Sequence, residues 1–170
     1  MTAAESASVR VDAGVVVVVA VLGAPRERVW EAWTRAEQVV RWYGPAGMSA
    51  HVCEIDLRAG GRYLWGLRSP DGFEYYNAGV FRELVPNERL VATMCMADAD
   101  GRTAPASHYG MPENAPSETL LSLDLADAGD GTTRLTLRQE GWGDDEMAAG
   151  AGGGWVQALG KLDGALETTA

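Results

Sequence analysis

The spacing of apolar positions changes along this chain, and each change marks an element. Val15 to Val19, then Ala20, Val21 and Leu22, form an almost unbroken apolar run after Gly14. β-Branched side chains are stiff at χ1 and suit a pleated surface, so the run predicts the first strand. It ends at Gly23-Ala24-Pro25, and Pro25 opens a short helix reaching Trp33, with Val29 and Trp33 on one side. Thr34 followed by Glu37 has capping-box spacing and predicts a second short helix from that point, stopping before Gly44-Pro45.

From Met48 the period becomes two. Ser49, His51, Cys53, Ile55 and Leu57 share one strand face, and after Gly60-Gly61 the next strand has a face of Tyr63, Trp65 and Leu67. Pro70-Asp71-Gly72 and Pro86-Asn87 are turn chemistry on either side of a long strand over 73–84. Leu90, Ala92, Met94 and Met96 make one face of its successor. Residues 97–117 hold scattered glycines and prolines without period, which predicts a long loop, functional or mobile. Two more strands carry Leu121-Leu123-Leu125 and Leu135-Leu137-Gln139.

The tail is helical. Asp144 is its expected N-cap, and Met147, Ala151, Trp155, Leu159, Leu162 and Leu166 recur every three or four residues. Gly150, Gly152, Gly153 and Gly154 interrupt this stripe, each costing about 1 kcal/mol relative to alanine. The reading favoured is a kinked or late helix start, the alternative being a neighbour packed too close for a side chain. Together the elements predict an α+β fold in which an antiparallel sheet buries its apolar face against the final helix. A strongly curved sheet leaves space beside that helix, the physical basis for a pocket. Residues 1–8 are expected to be a disordered N-terminal segment and 9–170 a single domain.

Charge narrows the partners. With 14 Lys+Arg against 24 Asp+Glu, the net charge of −10 disfavours nucleic acid and anionic membrane surfaces. The valine run is too short to span a bilayer and lacks a positive flank, so a cytoplasmic protein is expected. Cys53 and Cys95 lack metal-ligand spacing and read as reduced core thiols, and no metal or cofactor motif is found.

Several segments resemble one family. Ala24-Pro25-Arg26-Glu27-Arg28-Val29-Trp30-Glu31-Ala32-Trp33-Thr34 is similar to its opening helix. Arg41-Trp42-Tyr43-Gly44-Pro45-Ala46-Gly47-Met48, Asp56-Leu57-Arg58-Ala59-Gly60-Gly61-Arg62-Tyr63 and Gly79 through Val91 resemble its turn, hairpin and strand-turn-strand motifs. In order over residues 15–167, with Thr132 to Leu137 and Gly154-Trp155, they resemble the START-related (SRPBCC) superfamily. The similarity is greatest to its branch named after the activator of the heat-shock-protein-90 ATPase. The resemblance implies a helix-grip fold, about seven antiparallel strands curved around a long C-terminal helix, enclosing a cavity for apolar small molecules.

Strand face and family position make Trp65 and Trp155 expected pocket walls, with Trp42 and Trp142 near the mouth. Tyr63, Met94 and Met96 would add to the walls, Tyr63 and Tyr75 would bring phenol groups that could polarise a carbonyl, and the amides of Asn77 and Gln139 would orient a ligand, since a buried amide needs a partner. His108, in the long loop, and His51, on the face of Cys53, are the candidate acid–base residues. Three functions follow: binding or sequestration of an aromatic or polycyclic apolar molecule, a cyclase- or lyase-like enzyme using a histidine, or a co-chaperone-like interaction through an exposed apolar patch. The partners expected are the apolar small molecule and a second copy in a homodimer.

Overall fold

The computed structural model describes residues 2–167; Met1 and positions 168–170, which fall within the expected segment and domain bounds, lie outside the described residues. The element order is α1 (Ala3–Ser6), β1 (Ser8–Asp12), β2 (Val15–Leu22), α2 (Arg26–Thr34), α3 (Ala36–Val39), β3 (Ser49–Ile55), β4 (Arg62–Arg68), β5 (Glu74–Val85), β6 (Arg89–Ala97), a 3₁₀ turn (Ala106–Tyr109), β7 (Glu118–Gly129), β8 (Thr132–Glu140) and α4 (Asp145–Glu167). The strands form one curved antiparallel sheet of eight in the order β1-β2-β8-β7-β6-β5-β4-β3.

The inner face follows the alternation read from sequence. Val16, Val18, Leu121, Leu123, Leu135 and Leu137 are buried against Leu159, Leu162 and Leu166 of α4. Asp144 caps α4 by accepting the Met147 N–H at 2.8 Å.

Four local expectations are corrected. The valine strand is the second strand, because β1 pairs with it through a hairpin whose central residues Ala13 and Gly14 both have positive φ, 50° and 74°. Such a turn suits the strand twist but usually carries Asn-Gly or Asp-Gly, so Ala-Gly gave no signal. Residues 2–8, expected to be disordered, form α1 and the start of β1. Thr2 and Glu5 make a reciprocal capping box, and the Ala3 N–H donates to the buried carboxylate of Asp163 at 2.9 Å.

Thr34 ends α2 instead of capping α3, its hydroxyl donating back to the Trp30 carbonyl at 2.7 Å. Finally, α4 runs unbroken through its glycines. At Gly152 a Cβ would stand 2.8 Å from Val9 and 2.9 Å from Val16, so close packing against the first two strands, rather than a helix end, requires glycine there.

Candidate functional site

Rings fill much of the space between sheet and helices. Trp33 stacks on Trp155 with centroids 5.8 Å apart and tilts against Trp42 at 4.7 Å; Trp65 contacts Tyr43 at 4.4 Å and Tyr63 at 4.9 Å. Tyr63 and Trp65, expected as pocket walls, and Trp42, expected near the mouth, are therefore core: Trp42 donates to the Ala32 carbonyl at 2.9 Å and Tyr63 to the Thr93 carbonyl. Space remains where α4 carries the small residues Ala151, Gly154 and Ala158 beside Trp155.

The cavity has two lobes. An outer lobe of about 390 Å³ is bordered by Tyr75, Asn77, Met94 and Met96 from the sheet and by Tyr109 and Met111 from the long loop. An inner lobe of about 220 Å³ lies beneath α4, bordered by Tyr43, Gly154 and Trp155. Pro45, Leu67, Asn77, Met94, Gln139 and Trp142 border both, so the lobes adjoin. No lining residue of either lobe is charged. A larger groove of about 710 Å³ along Glu54–Asp56 and Asp100–Thr103 carries Glu54, Asp56, Arg62, Asp100 and Arg102; its mixed charge marks it as solvated surface.

Local interactions hold these walls. Gly44, at φ 105°, turns the chain after the buried Tyr43, and the Lys161 ammonium donates to the carbonyls of Gly44 at 3.2 Å and Met48 at 2.9 Å. Partial burial lowers the Lys161 pKa from its ordinary value. On the opposite side, the Tyr109 hydroxyl accepts the Tyr76 N–H at 3.1 Å and donates to the Ala97 carbonyl, tying the long loop to the ends of β5 and β6. Phe73, Tyr75 and Met111 stay exposed at the mouth, where the Phe73 and Tyr75 rings meet at 4.7 Å.

The polar groups are arranged unevenly. Trp155 Nε1–H donates to Gln139 Oε1 at 2.8 Å, and Gln139 Nε2 donates to Thr119 Oγ1 at 2.9 Å and approaches Met94 Sδ at 3.7 Å. Gln139 is 2 % exposed and its capacity is met by protein, contrary to the expectation that a ligand would complete it. Asn77 is half-buried. Its Oδ1 accepts from Tyr43 Oη at 3.1 Å, while Nδ2 has one long contact, 3.5 Å, to the Cys95 carbonyl. Desolvation raises the Tyr43 pKa, so its phenol stays protonated and a donor.

Neither histidine reaches the cavity. A bulge between Ala50 and Val52 turns His51 off the face of Cys53, and its Nε2 lies 3.3 Å from Tyr76 Oη on the outer side of the sheet. His108 is exposed on the 3₁₀ turn, its ring 4.6 Å from that of its neighbour Tyr109, which does line the outer lobe. Cys53 and Cys95 are free thiols, and burial pushes the Cys53 pKa up to about 12. Of the expected ligand-binding residues, the structure brings Tyr75, Asn77, Met94, Met96, Gln139, Trp142 and Trp155 together at the cavity. Tyr43, Met48, Leu67, Tyr109 and Met111 were missed; the spacing of Ala151, Gly154 and Ala158 was the one readable sign of an opening beneath α4. Among the described residues, no three His, Cys, Asp or Glu side chains gather in a metal-binding group, and no helix is long and apolar enough to cross a membrane.

A curved antiparallel sheet gripping a C-terminal helix defines a helix-grip protein of the START-related (SRPBCC) class. Within it, the profile of the family described as Activator of Hsp90 ATPase homolog 1-like protein matches residues 23–167, and the chain belongs to that family. A crystal structure of a protein from Chromobacterium violaceum is 28% identical, with TM-score 0.74 over 91% of this chain and 97% of that one. A solution structure from Arthrobacter aurescens is 25% identical, with TM-score 0.77 over 96% of this chain and 92% of that one. The AHSA1 protein of Silicibacter pomeroyi, 20% identical, shares the fold at TM-score 0.73 over 92% of this chain and 99% of that one. No curated protein gave a match.

Proposed function

We propose that this protein binds a neutral, apolar small molecule, aromatic or polycyclic, in the two-lobed cavity and sequesters or carries it. The observation that carries this reading is the wall chemistry: methionines and aromatic rings, a few amides and hydroxyls, and no charge. Methionine adapts to irregular ligand shapes, and large rings offer flat apolar area. Removing ~250 Å² of apolar ligand surface from water contributes roughly 6 kcal/mol before the entropic costs of association. An acid–base mechanism finds no support in this cavity, because no histidine or carboxylate borders it. The family to which the chain belongs fits a binding role.

The test is a thermal-shift screen against neutral apolar compounds, paired with native mass spectrometry of protein purified from its own host. A ligand at a hundred times its Kd should stabilise by about 2.7 kcal/mol, a rise in Tm of several degrees. Protein that is repeatedly empty and gains no stability from any compound would sink the proposal.

A further inference from the structure

The cavity walls are largely shut off from solvent. Met94, Gln139 and Trp155 are 8, 2 and 7 % exposed, so a polycyclic ligand that touches them has to pass a wall that opens. Two stretches of irregular chain border the cavity: residues 43–48 beside α4, and the long loop ahead of β7.

The first stretch is fastened at several points. The Lys161 ammonium donates to the carbonyls of Gly44, Pro45 and Met48, and the Ala46 N–H donates to Gln157 Oε1 at 3.0 Å. Lifting it from α4 would strip these partners from a partly buried ammonium and three carbonyls, which is unfavourable.

The second stretch is held differently. Residues 105–117 satisfy much of their backbone among themselves, with the N–H groups of His108, Met111 and Ala115 donating to the carbonyls of Pro105, Ala106 and Pro112. Among the described residues, two side chains of this segment hydrogen-bond to the rest of the fold. Asn114 Nδ2 donates to Asp144 Oδ2 at 3.2 Å in an exposed contact, and the other is the Tyr109 hydroxyl. Tyr76 and Ala97 are the last paired residues of β5 and β6, and that hydroxyl sits between them, accepting the Tyr76 N–H at 3.1 Å and donating to the Ala97 carbonyl. Because the two residues face each other across the ladder, their amide and carbonyl can bond directly once the hydroxyl withdraws, and neither is orphaned. The Tyr109 ring rests on exposed Tyr75 and Phe73, with centroids 5.3 and 6.4 Å apart. Opening here breaks fewer polar contacts than opening beside α4 and leaves fewer groups without partners.

We infer that the ligand enters and leaves beneath residues 105–117, and that the Tyr109 hydroxyl is the latch of this lid, exchanging with a direct Tyr76–Ala97 hydrogen bond as the lid opens. The inference rests on the binding role proposed above and adds the route to it.

Stopped-flow fluorescence with Nile red, a neutral polycyclic dye, tests the route in wild type and Tyr109→Phe. Removing the latch should raise the association rate constant about fivefold, as expected for the loss of one net hydrogen bond, and the dissociation rate should rise with it. Loss of a mere ligand contact would raise the dissociation rate alone. Hydrogen exchange gives a second readout that needs no ligand. In Tyr109→Phe the Tyr76 amide should keep its protection to within about tenfold, because the Ala97 carbonyl takes it. An unchanged association rate, or a Tyr76 amide deprotected by more than that, would overturn the latch while sparing the cavity as a binding site. Wild type that fails to bind Nile red would take down the inference and the binding role together.

Discussion

Trp155 on α4 donates its indole N–H to Gln139 on β8 at 2.8 Å, so the helix and the sheet it lies on are joined by a buried polar contact as well as by apolar packing. Gln139 passes the connection to Thr119 on β7. Replacing Gln139 by Leu leaves the indole donor unpaired in a closed site, a loss of about 1–3 kcal/mol. Tm should fall by several degrees. Affinity for neutral apolar probes should change little, since the amide is already committed to protein. A Gln139→Leu variant with unchanged Tm and abolished binding would show that the amide serves the ligand instead.

Two adjacent glycines of α4 should respond oppositely to alanine. Gly153 is exposed and its Cβ would meet no atom within 4 Å, so Gly153→Ala gains helix propensity, close to 1 kcal/mol or ~2–4 °C in Tm. At Gly152 the new methyl would press on Val9 and Val16 at under 3 Å. There β1 must shift or the side chains must move, and overpacking of this kind costs about 1–3 kcal/mol. Differential scanning calorimetry of the pair decides the matter; equal shifts of the same sign would contradict the packing described for α4.

How much of this was legible in the sequence depended on whether the controlling interaction was local. The inner strand faces at Leu121, Leu123, Leu135 and Leu137 were readable because a period of two is a property of one strand. The position of His51 was not, since one bulged residue between Ala50 and Val52 reverses a face without altering the pattern of residue types. Gln139 was rightly placed on the inner face, but its partner Trp155 is sixteen residues away on another element, so its saturation was invisible. The same holds for Trp65: the strand alternation put it inward, and only the rings of Tyr43 and Tyr63 decide that it meets aromatics instead of an opening. The cavity survives where α4 happens to carry small residues, a negative feature that hydrophobic periodicity does not register.

One side chain ties the N-terminal segment to the last helix. Asp163 accepts the Ala3 N–H at 2.9 Å and the Gly23 N–H at 3.0 Å, holding α1 and the turn after β2 to the last helix. Asp163→Ala should release both, leaving two amides without partners. Hydrogen exchange at residues 2–12 should accelerate by at least an order of magnitude while β6, β7 and β8 keep their protection. Unchanged exchange in α1 and β1 would mean that the sheet pairing of β1 alone suffices to hold the segment.

Acid should act on the outer face through Glu74. Its carboxylate lies below the usual carboxylate range, held there first by the Arg68 guanidinium at 2.7 Å and next by the Tyr76 hydroxyl at 2.8 Å, with His51 Nε2 at 3.6 Å. A carboxylate depressed in the folded state binds fewer protons there than in the unfolded chain, so its contribution is complete above the unfolded value of about 4.3 and disappears as pH falls through the folded one. Glu74→Gln removes the titration while retaining the side-chain shape. Denaturation midpoints of wild type and variant should therefore differ at pH 7, and the gap should close as pH falls below the unfolded value of about 4.3 and through the depressed folded one. A gap that persists undiminished to pH 3 would mean that the Arg68–Glu74–Tyr76 contacts contribute nothing through charge.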